Sequence, residues 1–284
     1  MAIRIITDST ADFTREEASE LGLEIVPLKT RFGDDEYIDG VTISPREFYE
    51  KLVESDTLPT TSQPSPAEFE AMYDRVLGPE DEAVVITISS ALSGTCQSAV
   101  IAAEKYGGRV QVVDSLSASI GAQILVRRAL ELAPEASTAA ELAERVLQER
   151  EHLCVIALLD TLEYLKRGGR ISSAVAFAGG VLAIKPVVTI KDGLVQLVGR
   201  ARGSKNGNNL LSEFINKRGG VDFDRPHTLG YTGLSDALLQ KYMRDSAYLW
   251  TDHAESLPVS LIGSVIGSHG GPGAIAVAFF QKVD

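Results

Sequence analysis

The chain has 284 residues, 44% of them hydrophobic and 23% charged, and a formal net charge of −12, the balance of a globular protein with room for one large domain or two. No apolar run reaches the roughly 18 to 20 residues that span a bilayer, and the opening MAIRIITDST lacks the order of charge, apolar core and cleavage site that marks a secretory signal. No basic block offers a phosphate-backbone footprint, so nucleic acid is excluded as a partner, and a cytoplasmic protein is expected.

In chain order, IRIITDS, LEIVPL, AVVITIS and RVQVVDS read as short apolar strands. Helices are expected near Pro66, from Ser93 and through IGAQILVRRALELA. Near-continuous apolar strands between amphipathic helices argue for a mostly parallel sheet covered on both faces. Residues 57–77, TLPTTSQPSPAEFEAMYDRVL, read as a Pro/Ser/Thr-rich loop entering a helix, and loops of that length are often functional. The texture changes near residue 150. There follow LCVIALLDTLEYLKRGGRIS, the Gly/Ala-rich AVAFAGGVLAI, and KPVVTIKDGLVQLVG, whose Lys191-Asp192-Gly193 turn is a strong hairpin signal. HTLGYTG, DALLQKYMRDSA, PVSLIGS and GAIAVAFF then suggest antiparallel or mixed pairing around a helix. The expectation is a two-domain α/β protein: an N-terminal α/β domain over residues 1–150, and a C-terminal α/β domain with a mixed or antiparallel sheet over 151–284.

Cys96 and Cys154 lie far apart in segments that read as buried, which suits reduced core thiols. His152, His227, His253 and His269 never fall at metal-ligand spacing, so no metal is expected, and no cofactor either.

The stretch VVITISSALSGT, residues 84–95, runs from a buried strand into a hydroxyl cluster. Ser93-Gly94-Thr95 at a helix start would leave free N–H groups above the sheet edge, where α/β proteins bind ligands, and such a start suits an anion; taken alone, it reads as plain capping. Asp8-Ser9-Thr10 and Thr60-Thr61-Ser62-Gln63 add two more hydroxyl-rich segments that could converge on one carboxylate or phosphate. A nucleotide site is not supported: no P-loop string occurs, and Gly271-Pro272-Gly273-Ala274-Ile275-Ala276 has too little chain after it for a dinucleotide fold. That Gly-rich run instead reads as a tight backbone approach holding His269.

Ser93, Asp160 and His269 stand in the chain order of an α/β-hydrolase triad, so a serine esterase or thioesterase is the alternative function, although the nucleophile-elbow glycine before Ser93 is missing. Two basic loops, Lys166 to Arg170 and Arg200 to Lys205, are candidate docking points for an anion or an acidic surface. AVAFAGGVLAIKP reads as close packing against the sheet rather than as volume for a ligand.

Together, IITDSTADF, PTTSQPSPAEF, ISSALSGTCQSA, VVDSLSASIGAQ, LDTLEYLKRGGRIS, KPVVTIKDGLV and IGSHGGPGAIAVAFF resemble the DegV family, the fatty-acid-binding carrier subunits of bacterial fatty acid kinase. The resemblance implies a long-chain fatty acid in a tunnel between two domains, no catalysis by the chain itself, and an ATP-dependent kinase partner that makes an acyl phosphate for phospholipid synthesis, with transient proximity to the membrane. Thr61, Ser62, Ser93, Gly94 and His269 would then hold the carboxylate. Arg170, Arg202 and His269 would face the acyl phosphate or the kinase, and His269 is expected to alternate its protonation.

Overall fold

Strands that are apolar at nearly every position need cover on both faces, and the first half of the chain supplies it. In the computed structural model, which describes residues 2–171, 184–250, 253 and 256–282, the strands β1 (Ile3–Asp8), β2 (Glu24–Val26), β6 (Glu82–Thr87) and β7 (Val110–Asp114) form one parallel sheet in the order β2-β1-β6-β7. Alternate residues point to opposite faces. Ile6, Val85 and Val110 meet Phe69, Tyr73 and Ala99 of helices α3 (Pro66–Val76) and α4 (Thr95–Ala103). Ile5, Val84, Ile86 and Val113 meet α5 (Ile120–Leu132) and α6 (Ala139–Arg150).

The helices α1 (Arg15–Leu21), α2 (Pro45–Glu54) and α3 each open on a capping box, Thr14 with Glu17, Ser44 with Glu47 and Ser65 with Glu68, in which side chain and backbone satisfy each other's orphan groups.

The expected loop around Thr61 is partly a strand. β3 (Lys29–Phe32), β4 (Asp35–Ile38) and β5 (Thr60–Ser62) make a small antiparallel sheet, β4-β3-β5, with Thr61 paired to Thr30. The pairing gives Thr61 a fixed direction that a free loop would not.

After Arg150 the chain enters a six-stranded sheet, β10-β9-β8-β13-β11-β12, built from β8 (Leu153–Leu158), β9 (Ile184–Lys191), β10 (Leu194–Arg202), β11 (Thr228–Tyr231), β12 (Val259–Leu261) and β13 (Ile275–Phe280). All neighbours are antiparallel except β11 and β12, so the sheet is mixed. The hairpin between β9 and β10 turns through Asp192 at φ 52° and Gly193 at φ 76°, the two left-handed residues of a tight I′ turn. One face of the sheet packs on α8 (Gly203–Lys217), α9 (Ala237–Asp245) and α10 (Ala247–Trp250) through Leu211, Leu239 and Trp250. The other face meets α5, so one apolar cluster joins Ile120 and Ile124 to Val155 and Ala276 and ties the two sheets together.

The short helices α7 (Glu163–Arg167) and α11 (Ser264–Gly270) stand at the rim of this sheet. Of the Gly/Ala-rich AVAFAGGVLAI, all but Ile184 lies outside the described residues. Cys96 and Cys154 are free and buried, as the sequence suggests.

Candidate functional site

Four chain segments meet between the two sheets. β5 brings Thr61, Ser62 and Gln63; the turn before α4 brings Ser93 and Gly94; the segment after α7 brings Arg170; and the last turn of α11 brings His269. His269 therefore sits in the last turn of a short helix, at the start of the glycine-rich run. Asp39 accepts hydrogen bonds from the Ser264 N–H at 3.1 Å and the Ser264 hydroxyl at 2.6 Å, and so fastens the start of α11 from far away in sequence.

Thr61 Oγ1 and His269 Nε2 lie 3.0 Å apart. The imidazole rests against Gly168, where any Cβ would collide with the ring, and Nδ1 is buried without a partner among the described residues. Burial, and secondarily the charge of Arg170, push the His269 pKa down from 6.5 to about 4. With no anion beside it the ring is neutral near pH 7.

Arg170 donates from Nε to the Leu92 carbonyl at 3.1 Å and from Nη1 to the Gly168 carbonyl at 2.5 Å. It thus ties the segment after α7 to the turn before α4 and lies beside the histidine.

Ser93 does not cap α4 in the simple way. The helix starts two residues later than expected, Gly94 is its N-cap, and no side chain completes the cap. Ser93 Oγ pairs with Thr95 Oγ1 at 2.8 Å and reaches the Thr95 N–H only at 3.4 Å. The first-turn N–H groups are thereby left to other acceptors. A Cβ at Gly94 would strike the amide of Gln63, which also donates to Ser98 Oγ at 3.3 Å. Gln63, which sequence reasoning did not single out, fastens the Thr61 strand to α4; its position directly after Thr61-Ser62 was the available signal.

Two candidate groupings are not assembled. Asp160 pairs with Lys185 rather than with His269, and Ser93 bonds to Thr95, so the esterase triad is absent. Asp8-Ser9-Thr10 does not join the site: Thr10 donates to Asp8 at 2.5 Å, and Ser9 accepts from the Leu28 N–H at 3.0 Å. Arg202 lines neither pocket at the site; it is exposed at the end of β10 opposite Ile184, at the same end of the sheet as Asp160.

Behind Thr61, Arg170 and His269 lies a cavity of about 370 Å³. Ser62, Gln63 and Ser93 line its polar end; Leu159, Ala157, Val155, Val188, Ile120 and Ala276 line the rest. On the outer side the same Thr61, Arg170 and His269 border a second pocket of about 310 Å³ with Tyr164, Arg167 and Gly168. The three side chains form a partition between an apolar interior and a basic outer basin.

Ser119, at the cavity wall, is held at φ 55° by its hydroxyl bond to Asp12 at 2.5 Å, while Asp12 also accepts from the Gly263 N–H at 2.8 Å. A non-glycine residue there costs about 1–3 kcal/mol, and the bond to the buried Asp12 side chain helps hold it.

An apolar cavity whose one polar end is built from hydroxyls, an amide, an imidazole and one guanidinium has the chemistry to hold an amphiphile with its anionic head at that end. The family model whose description reads "uncharacterised protein, DegV family" matches residues 2–282, and the chain belongs to the DegV family. It is 36% identical over 282 residues to a DegV domain-containing protein of Deinococcus radiodurans, covering 98% of each. A Thermus thermophilus DegV-family protein, solved for its fatty acid binding, superposes with a TM-score of 0.88 at 36% identity, over 99% of this chain and 100% of that one. A DegV lipid binding protein from Thermotoga maritima does so with a TM-score of 0.85 at 26% identity, over 99% and 100%.

Proposed function

We propose that this protein binds one long-chain fatty acid and carries it to a kinase. The tail lies in the cavity between a lobe of residues 1–150 and a lobe of 151–284; the carboxylate rests among Thr61, Ser62, Ser93, the Gly94 backbone and His269. The observation that carries this reading is the 370 Å³ apolar cavity bordered at one end by hydroxyls, an amide, an imidazole and the Arg170 guanidinium. The fatty-acid and lipid binding of the similar Thermus and Thermotoga proteins supports it.

Each buried methylene contributes about 0.8 kcal/mol, so the tail dominates affinity. Charge-assisted hydrogen bonds to the carboxylate add about 1.5–3 kcal/mol each and fix the direction of the head. With its proton on Nε2, His269 donates to Thr61, whose own hydroxyl is then free to donate to the carboxylate. None of these groups is an activated nucleophile, which suits a carrier with no chemistry of its own.

The partition explains how a held head could be reached. A carboxylate at Thr61 and His269 would face the outer basin beside Arg167 and Arg170, where an ATP-dependent fatty acid kinase could phosphorylate it while the tail stays buried. Arg202, farther out at the same end of the sheet, would then contact the kinase rather than the lipid. No described helix is long and apolar enough to cross a membrane. On the carrier reading, the protein would work in the cytoplasm and approach the membrane transiently when the acyl group is passed on.

Native mass spectrometry of the freshly purified protein tests the first half: one bound fatty acid per chain is expected, and a chain free of acyl adducts that also takes none up from solution would end the reading. Arg170→Ala is expected to retain the lipid and to lower its phosphorylation by the kinase.

A further inference from the structure

The cavity borders a pocket at its far end as well as at its head. Thr189 and Ile190 line it and also line a pocket of about 210 Å³ whose other walls include Arg150, Lys191, Asp192 and Arg218. The register of the sheet shows that this is the end remote from the head. Leu159, just past β8, and then Ala157 and Val155 on it line the cavity in succession, each step about 7 Å farther from the Arg170 and His269 end. Val188 pairs with Ala157, and two residues on Ile190 pairs with Val195, the cavity-lining residue of β10. Val188 is buried, whereas Ile190 is only half-buried.

This wall is held firmly. Thr189 donates its hydroxyl to the Val155 carbonyl at 2.6 Å, which bolts β9 to β8. Just past Ile190 the hairpin tip is pinned to the other lobe, since Ser89 donates to the Gly193 carbonyl at 2.8 Å and leaves no room there for a side chain. A methyl terminus that passed Ile190 would leave an apolar surface for one that carries Arg150, Glu151, Lys191, Asp192 and Arg218, and would lose the burial that rewarded each earlier methylene.

We infer that Ile190, backed by Thr189, is the end stop of the acyl cavity and sets the longest chain that binds with full affinity. The inference rests on the proposed fatty-acid reading of the same cavity. Up to that length each added methylene tightens binding about fourfold; beyond it the gain stops. Shortening Ile190 moves the break to longer chains, and enlarging it moves the break to shorter ones.

The test uses the full-length protein stripped of lipid. Saturated fatty acids from twelve to twenty-two carbons displace a fluorescent fatty acid from the wild type, Ile190→Ala, Ile190→Phe and, as a head-end control, Thr61→Val. The expected result is a break point about two to three carbons longer in Ile190→Ala, the size of the group removed, and shorter in Ile190→Phe. Thr61→Val lowers affinity for every length and leaves the break where it was. If the wild type binds with a length-dependent affinity and both Ile190 variants keep its break point, the end stop is overturned and the fatty-acid reading stands. If the wild type binds no fatty acid of any length, the reading of the cavity falls and the end stop with it. Should Ile190→Phe fail to fold, as circular dichroism would show, Ile190→Ala decides alone: a longer break supports the end stop, an unmoved one overturns it.

Discussion

The two faces of the C-terminal sheet come from the same strands and are packed in opposite ways. On one, Ile156, Leu158, Ile275, Val277 and Phe279 interlock with Leu211, Ile215, Leu239, Tyr242 and Trp250 of the covering helices. On the other, the alternate positions of the two central strands include Ala157, Ala274 and Ala276, and the cavity lies over them. The period of two along a strand lets one segment write a filled face and an underfilled face at once. Underfilling is expensive. At about 24 cal/mol per Å³, a closed, empty void of 370 Å³ would cost about 9 kcal/mol, as much as the whole stability of many domains. Alanines on that face make physical sense when a guest supplies the missing contacts.

Breaking the filled face should have the largest effect. Phe279→Ala is expected to lower the unfolding free energy in urea by about 3–5 kcal/mol, because Phe279 is fully buried among large neighbours. A loss below about 1 kcal/mol would mean that this face is not close-packed after all. On the underfilled face, three residues earlier on the same strand, the outcome inverts. Ala276→Leu should leave the unfolding free energy of the lipid-free protein within about 1 kcal/mol of the wild type, since the added carbons enter open space. Fatty-acid affinity should fall more than about tenfold, the worth of two displaced methylenes at about fourfold each. Titration calorimetry showing unchanged affinity would put the chain elsewhere.

The same contrast governs what could be read from the sequence. The parallel sheet was legible because strands covered on both faces, such as Ala83 to Ile86, are apolar at every position. The β4-β3-β5 sheet was not: its strands are three or four residues long, and Lys29, Arg31, Asp35 and Glu36 face outward along them, so no periodicity accumulates. The helix carrying His269 was hidden because SVIGSHG holds two glycines among its seven residues, while the carboxylate that fastens its start, Asp39, lies 225 residues away. The hydroxyls at Thr61 and Ser93 could be singled out by type. Their company with Arg170 and His269 came only through family resemblance, because nothing local encodes a contact across 208 residues. The esterase alternative failed for the same reason: chain order says nothing of whether Asp160 meets His269 or Lys185.

At the polar end of the open face a smaller and more uniform effect is expected. Thr61→Val keeps a β-branched residue paired with Thr30 in the small sheet and removes only the hydroxyl. Affinity for fatty acids should drop about tenfold, the worth of one charge-assisted hydrogen bond, by the same factor for every chain length. A factor that grew with chain length would place Thr61 beside the tail instead of the head.

The finest effect concerns the carboxylate beside the cavity wall. Asp12 is buried, and desolvation raises its pKa from 3.8 to about 8, despite the Ser119 and Gly263 bonds that favour its ionised form; Asp39 and Asp8 nearby raise it further. The folded protein therefore holds a proton that the unfolded chain releases near pH 4. The stability this confers is complete below pH 4 and is lost as pH climbs towards about 8. His269 acts in the opposite sense, because its pKa is depressed to about 4: its contribution is present above pH 6.5 and is lost as pH falls towards 4. Asp12→Asn separates the two, since the amide keeps an acceptor for Gly263 and a donor for Ser119 but cannot ionise. Melting temperatures of wild type and Asp12→Asn should nearly coincide at pH 4 and diverge by a few degrees at pH 8, with the variant more stable. Parallel curves across that range would show that Asp12 does not hold its proton in the folded protein, and that the wall bearing Ser119 is fastened by an ionised carboxylate instead.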